Sequence, residues 1–288
     1  MQPDQILDRT ISLMFSVTTL AIVALGLAVI FGMMRIINLA HGEFMMFGAF
    51  ATLWGTRHGL NLWLAMLLAP FAVGLFGLVV ERTIIRRLYG RILDTMLATW
   101  GLSLVMVQLV VIWFGPSTHG IATPLGSVRV GDYSESVYSL VLIAIVVVLF
   151  LATYLVFTRT RYGIMAQATT ELPEMAAALG IDASRVNMIT FAFGSALAGA
   201  AGAVLAPITG VVPTMGSAYV AKAFMTVIVG GQAVLTGSGA AATLLGGMDN
   251  SVTYWTTSFY GQGALLIVSI VLLRVMPRGL SGNWRRQL

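Results

Sequence analysis

The chain has 288 residues, of which 58% are apolar and only 9% charged, against about 25% charged in an average soluble domain. A soluble protein of this size needs a charged shell that these residues cannot build, which excludes an ordinary cytosolic enzyme, a disordered chain and a fibrous repeat. The net charge is +5 and the mean hydropathy +0.91, but the arginines gather at the ends of apolar runs, an orientation signal and not a nucleic-acid footprint. With no cysteine, disulfides, thiolate catalysis and cysteine-based metal sites are excluded. The composition therefore predicts an all-α, polytopic membrane helix bundle.

A bilayer core of about 30 Å takes about 20 apolar residues per helix. The first such run covers residues 11–31, behind a leader carrying Asp4, Asp8 and Arg9. A secretory signal would have a basic leader and a shorter apolar core, so the run is expected to be an uncleaved membrane helix. Further runs follow at 42–55, 62–80, 96–114, 137–157, 186–206, 219–235, 239–254 and 261–275. The runs 42–55, 219–235 and 239–254 are too short to span comfortably. Eight to ten membrane segments are expected, some broken or re-entrant, within one transmembrane domain over residues 1–288.

Arginines set the expected orientation. Arg82, Arg86, Arg87 and Arg91 share one short loop, Arg159, Arg161 and Arg185 bound another, and Arg278, Arg285 and Arg286 follow the last run. These places alternate along the chain as they should if all face the cytoplasm. The opposite connections hold only Arg9, Arg57 and Arg129. Trp54, Trp63, Trp113, Tyr138, Trp255 and Tyr260 fall at the expected outer ends, where amphipathic rings prefer to sit. Nine crossings, with the N-terminus outside and the C-terminus in the cytoplasm, satisfy both signals.

The loop 159–185 holds a possible short helix, about 172–179, with Thr169 or Thr170 as its cap, Pro173 in its first turn and Gly180 at its end. Met175, Ala176 and Leu179 then share one face. Two readings stand: an amphipathic helix on the lipid surface, or a docking helix for a cytoplasmic partner.

No catalytic constellation is visible. His41, His58 and His119 are far apart, and the single lysine, Lys222, precedes Ala223, so the Gly-Lys-Ser/Thr of a phosphate-binding loop is absent. Any ATP-driven motor must be another subunit. Three membrane features remain. Gly194, Ala198 and Gly202, with Ser195 and Gly199 beside them, form a small-residue stripe suited to close helix packing. Asn38, His41 and Glu43 interrupt an apolar region, where they could cap and brace the flanking helix ends or line a pathway through a broken helix. Residues 223–247 are glycine-rich and carry Gln232, Thr236 and Ser238, a poor continuous helix. They loosely echo residues 29–42, and glycine-interrupted segments in two halves of a transporter point to a central pathway. Lys222 and Asp249 flank this stretch; Lys222 could snorkel to the headgroups or pair with Asp249 in a wet cavity, beside Gln232 and Asn250.

The run Ile36-Ile-Asn-Leu-Ala-His-Gly-Glu-Phe-Met-Met-Phe-Gly-Ala-Phe50 resembles the signature of the branched-chain amino-acid (Liv-type) ABC permeases. Thr160-Arg-Tyr-Gly163 and Ala176-Ala-Ala-Leu-Gly-Ile181 resemble that family's cytoplasmic coupling loop, and Leu197-Ala-Gly-Ala-Ala-Gly-Ala-Val-Leu205 continues the likeness. Val80-Glu-Arg-Thr-Ile-Ile-Arg-Arg-Leu-Tyr-Gly-Arg91, Thr95-Met-Leu-Ala-Thr-Trp-Gly-Leu-Ser103 and Phe224-Met-Thr-Val-Ile-Val-Gly-Gly231 are similar to the first permease of urea importers. The chain departs from that branch at Lys222-Ala-Phe, where an acidic residue is expected, and at Asp249-Asn-Ser-Val-Thr-Tyr-Trp, where an Asn-Lys-rich stretch is expected.

The resemblance implies a bacterial inner-membrane permease without enzymatic activity or cofactor of its own. Its implied partners are a second homologous permease, two ATP-binding subunits that carry the ATP, and a periplasmic substrate-binding protein. The implied cargo is a small polar solute such as urea, a short amide or a branched-chain amino acid. Candidate pathway residues are Asn38, His41, Glu43, Thr99, Ser103, Lys222, Gln232, Asp249 and Asn250. Candidate contacts to the ATPase are Glu171, Glu174, Ala177, Leu179 and Gly180. No metal ligands are expected. A stand-alone secondary transporter or channel is the competing reading; it would usually carry coupling carboxylates in its membrane core, where only Glu43 and Asp249 are candidates.

Overall fold

A computed structural model describes residues 3–130, 133–231 and 233–282. Gln232, Arg285 and Arg286 lie outside the described residues. The elements run α1 (Pro3–Met34), α2 (His41–Arg57), α3 (Leu62–Thr83), a 3-10 turn (Ile85–Leu88), α4 (Ile92–Phe114), β1 (Ser127–Val130), β2 (Tyr133–Ser136), α5 (Val137–Arg159), α6 (Arg161–Glu171), α7 (Pro173–Ala178), α8 (Ala183–Thr209), α9 (Met215–Gly230), α10 (Val234–Trp255) and α11 (Ser258–Val275). The two short strands pair antiparallel, Ser127 opposite Ser136. Helix dominates because hydrocarbon offers no partner to a backbone N–H or C=O, so each segment must satisfy its own.

Among the described residues six helices are long and apolar enough to cross a membrane, or seven spans if the pair α9 and α10, bent by 119°, counts as one. That is fewer than the nine crossings expected, although the nine apolar runs coincide with helices, in line with the eight to ten segments expected, some broken. The difference falls on the three short runs. α2 has 17 residues, about 25 Å of helix, which is short of the hydrocarbon core, and α9 and α10 are the broken pair.

The described residues form two compact units, with α1, α5 and α9 contributing to both. The first comprises Leu25–Ile121 and Ala152–Ala221. Its centre is α8, packed against α2 and α3. The small-residue stripe makes this possible. A Cβ on Gly48 would collide with the backbone of Gly199, one on Gly202 with the backbone of Met45, and one on Gly42 with Gly216. Backbones thus touch directly, and the dispersion gained replaces the hydrophobic drive that lipid cannot supply. Phe44 closes the layer, its ring 5.8 Å from Phe76 and 5.9 Å from Phe191.

At the end of α3 the fully buried Glu81 accepts from Arg86 Nη2 at 3.1 Å and Nε at 3.3 Å, and from the Tyr89 hydroxyl. Burial first, and the Glu81 bond second, push the Tyr89 phenol well above its ordinary range, so it stays a neutral donor. This cluster fixes the arginine-rich turn to the bundle.

The second unit comprises the described parts of Met1–Ala24, Ala122–Leu151 and Lys222–Leu288. Its core gathers Leu20, Val229, Ala241, Ala242, Leu245 and Leu265. Here the break between α9 and α10 is closed by the turn after α11. Ser281 Oγ donates to the Gly230 carbonyl at 2.6 Å and accepts from Ala233 N–H at 2.9 Å. Gly231, at φ +81°, lets the two backbones meet. One hydroxyl satisfies groups that a helix break would otherwise orphan.

Of the expected interfacial aromatics, Trp54, Trp63, Trp113, Trp255 and Tyr260 are exposed. Tyr138 is not: it is fully buried and acts as a packing residue near the start of α5.

The backbone contact at Gly202 yields a stability prediction. Gly202→Val forces α2 away from α8 and should destabilise the chain by about 1–3 kcal/mol, the usual cost of overpacking. Thermal unfolding in detergent should show this, whereas Gly247→Ala, with open space at its Cβ, should leave the midpoint nearly unchanged.

Candidate substrate pathway and coupling surface

In the first unit, residues 35–40 join α1 to α2; Arg35 N–H still bonds the Phe31 carbonyl and the Ala40 carbonyl accepts from Phe44 N–H, and the residues between lie outside both helices. Arg35 holds φ +54°, a region costly for a residue with a side chain. Asn38 Oδ1 accepts from Ala40 N–H at 3.1 Å, and Leu39 N–H donates to Thr99 Oγ1 on α4 at 3.1 Å. His41 and Asn38 are fully buried and Glu43 nearly so. Thr99 is therefore brought to the Asn38 junction, and Ser103 sits one helical turn further along α4, half-buried.

The expected capping roles are corrected here. Ala40 is the N-cap of α2 and receives no side-chain cap. Asn38 instead braces the turn before it, because its short side chain reaches the N–H two residues on. Asn38 Nδ2 and Glu43 Oε2 are buried with no hydrogen-bond partner among the described residues. Each such atom carries a desolvation cost of about 1–3 kcal/mol.

In the second unit, Lys222 Nζ lies 3.4 Å from Asp249 Oδ2, with the two side chains 20% and 17% exposed. Of the two places weighed for Lys222, the structure gives pairing. Asp249 Oδ1 remains buried with no hydrogen-bond partner among the described residues. Asn250 does not join the pair. One residue along a helix turns the side chain by about 100°, and its amide donates to Ser12 Oγ on α1 at 2.9 Å.

The loop 159–185 contains two helices where one was expected. α6 is capped by Thr160, whose hydroxyl accepts from Gly163 N–H at 3.2 Å. The Tyr162 hydroxyl bonds Thr190 Oγ1 at 2.6 Å and donates to the Val186 carbonyl at 3.2 Å, both on α8. Thr170 donates to the Met33 carbonyl at the end of α1. The expected cap of the short helix is also corrected: Thr169 and Thr170 lie inside α6 and donate to the carbonyls of Met165 and Ala166, so Leu172 precedes α7 without a side-chain cap. Pro173 does open α7, and Gly180, at φ +80°, follows its end.

The face expected to hold Met175, Ala176 and Leu179 together is divided. Ala176 is buried, while Leu172, Met175 and Leu179 are 61%, 64% and 81% exposed. Glu171, Glu174, Ala177 and Gly180 are exposed around them. Residue spacing alone missed three contributors: Tyr162, the Glu81–Arg86–Tyr89 cluster and Ser281. A carboxylate at position 81 inside an otherwise apolar helix end was the available signal for the second. Nothing local marked Ser281.

Residues 9–276 match the family model described as Branched-chain amino acid transport system / permease component. The high-affinity branched-chain amino acid transport system permease protein BraD of Pseudomonas aeruginosa is 31% identical, over 92% of each chain. The LivH permease protein of the corresponding Escherichia coli K12 system is 26% identical, also over 92% of each. A probable branched-chain amino acid transport permease protein LivH of Methanocaldococcus jannaschii is 25% identical, over 93% of this chain and 90% of the relative. No solved structure matches the chain. The chain belongs to the family of permease components of branched-chain amino acid transport systems.

Proposed function

We propose that this chain is the membrane permease subunit of an ATP-driven ABC importer. It would work with a second homologous permease, two ATP-binding subunits and a periplasmic substrate-binding protein, in a bacterial inner membrane. Its N-terminus would lie outside and its C-terminus in the cytoplasm. The observation that carries the reading is α7 and its two flanking residues: Leu172, Met175 and Leu179 form an exposed apolar patch, while Ala176 beside them is buried. Such a patch on a braced helix suits docking by an ATPase subunit and transmission of its motion as a rigid lever. The lack of a phosphate-binding loop in this chain agrees with a separate motor.

For the cargo we propose a small polar solute, with branched-chain amino acids, the substrates named for its relatives, as the first class to test and urea or a short amide as the second. The unpartnered polar atoms of Asn38, Glu43 and Asp249 support a pathway role, because polar groups inside a membrane protein are retained where water or solute meets them. Within the first unit Thr99 and Ser103 would contribute with Asn38 and Glu43, and within the second Lys222 would contribute with Asp249; Gln232 would take part as well. Asn250, turned to Ser12, would brace α1.

Replacing Leu179 by Asp should weaken docking by about 1.4 kcal/mol or more, a tenfold loss in coupling, while the chain still inserts. In proteoliposomes with the ATPase and binding subunits, leucine uptake should fall while basal ATP hydrolysis persists. Equal uptake with and without ATPase subunits would instead favour a stand-alone transporter, and uptake of urea but not leucine would move the cargo to the second class.

The ion pair gives an independent check. Lys222→Asp and Asp249→Lys should each impair uptake, and the double swap should restore part of it. If the double is no better than the worse single, the pair plays no part in transport.

Because the chain has no cysteine, single substitutions report sidedness directly. Ala177→Cys should react with an impermeant maleimide only from the cytoplasmic side, and His58→Cys only from the outside. The reverse pattern would invert the proposed orientation.

A further inference from the structure

At the start of α4 the first unit holds a cavity of about 260 Å³ with a mixed polar and apolar lining. Its walls include Arg35, Tyr89, Arg91, Ile92, Thr95 and Asn187. Two arginines line this wall and no Asp or Glu does. Arg91 is partly neutralised by Asp94, one turn along α4. Glu81 lies behind Tyr89 and is held by Arg86. Among the described residues Arg35 makes no ion pair, so its charge is available to a ligand. The lining suits an anion: two arginines, with the uncapped first turn of α4 beside them, while the Asn187 side chain bonds the Tyr89 hydroxyl.

Two sources could supply the anion, a soluble phosphate or the phosphodiester of a lipid. The surface beside the cavity separates them. Ile92, in the cavity wall, is itself 57% exposed, and from Leu93 an exposed apolar stripe follows through Leu97, Trp100 and Leu104. The spacing i, i+4, i+7 and i+11 places these four on one helix face. A soluble phosphate has no use for that stripe, whereas a lipid can seat its phosphate among the arginines and lay an acyl chain along α4. Basic pockets beside membrane helices recognise anionic headgroups in this way.

We propose that this cavity is a binding site for an anionic phospholipid, with Arg35 and Arg91 holding the headgroup phosphate. The lining includes none of the candidate pathway residues and none of the α7 patch.

The test uses the full chain in nanodiscs of phosphatidylcholine with a small fraction of spin-labelled phosphatidylglycerol. A motionally restricted lipid population is expected, enriched over the same label on phosphatidylcholine. Arg35→Gly is the informative variant, since glycine accepts the positive φ at no steric cost. It should keep or raise the unfolding temperature while weakening phosphatidylglycerol association about fivefold. Arg91→Gln should act in the same direction, and Arg278→Gln, at a residue that does not line the cavity, should not. Inorganic phosphate at millimolar concentration should fail to displace the lipid.

Unchanged association in both cavity variants overturns the proposal. Tight binding of inorganic phosphate without lipid enrichment assigns the cavity to a free anion and overturns it as well. Loss of the restricted lipid when the ATP-binding subunits are added assigns the cavity to the partner, with the same consequence.

Discussion

Direct backbone contact between α2 and α8 is the constraint on which the first unit depends. In lipid, burying a leucine against another leucine gains little over leaving it among acyl chains, so association must come from dispersion at short range. Gly48 against Gly199 and Gly202 against Met45 remove the side chains that would hold the two helices apart. Everything else in this unit is positioned by that contact. It sets where α2 begins, and hence where His41 and Glu43 enter the interior. It also presents the α8 face that receives Tyr162 from α6. A serine takes part on the same terms: a Cβ on Gly77 would strike the side chain of Ser195, so α3 approaches α8 over a polar residue that is tolerated because it is small.

Close packing of straight helices leaves the breaks as the expensive places. Each interruption orphans backbone groups that hydrocarbon cannot satisfy. At the α1–α2 junction Asn38 and Thr99 take two of them; at the α9–α10 break Ser281 takes two more. In both cases short polar side chains do this, since a longer one would lose more rotamer freedom and reach past the gap. The breaks are thus built features, braced at stated atoms, and they coincide with the residues that the interrupted hydrophobic pattern singled out.

How much of this was legible in the sequence follows from range. Apolar runs, arginine-rich ends and the small-residue stripe are local signals, and they predicted the helices, the broken α9–α10 stretch and the α8 packing face. Pro173 and Gly180 marked the ends of α7 for the same reason. Counting spans was harder, because α2 is apolar enough for a membrane interior yet too short to cross one, and hydropathy does not distinguish these. Contacts between distant positions were out of reach. Ser281 is 51 residues from Gly230, and Tyr138 sat at a helix end that suited the interface but is buried by neighbours the pattern does not name. Within α7 the period placed Ala176 with Met175 and Leu179, while packing separated it; a helix this short has too few turns for periodicity to say which side faces protein. The Lys222–Asp249 pair was the exception at long range, since two opposite charges flanking one glycine-rich stretch have few other partners.

The ties of α6 connect the exposed patch to the α1–α2 junction within one compact unit. α7 follows α6 across a single residue, Leu172, so the two cannot move far apart. α6 is bonded at its first turn to α8, through Tyr162 and Thr190, and near its last turn to α1, through Thr170 and the Met33 carbonyl. Met33 stands two residues before Arg35, where the chain takes the positive φ that turns it toward Asn38. A force applied at Leu179 therefore meets no slack loop before it reaches the end of α1: it acts on a short rigid helix held at both ends by hydrogen bonds. The bonds at Thr170 and at Thr99 grip opposite sides of the same junction, one from α6 and one from α4. Displacing the first while the second holds would change the turn at residues 35–40, which carries the buried Asn38 and leads into His41 and Glu43. The glycine contacts of α2 and α8, by contrast, leave no room for a slip of one helix past the other without collision.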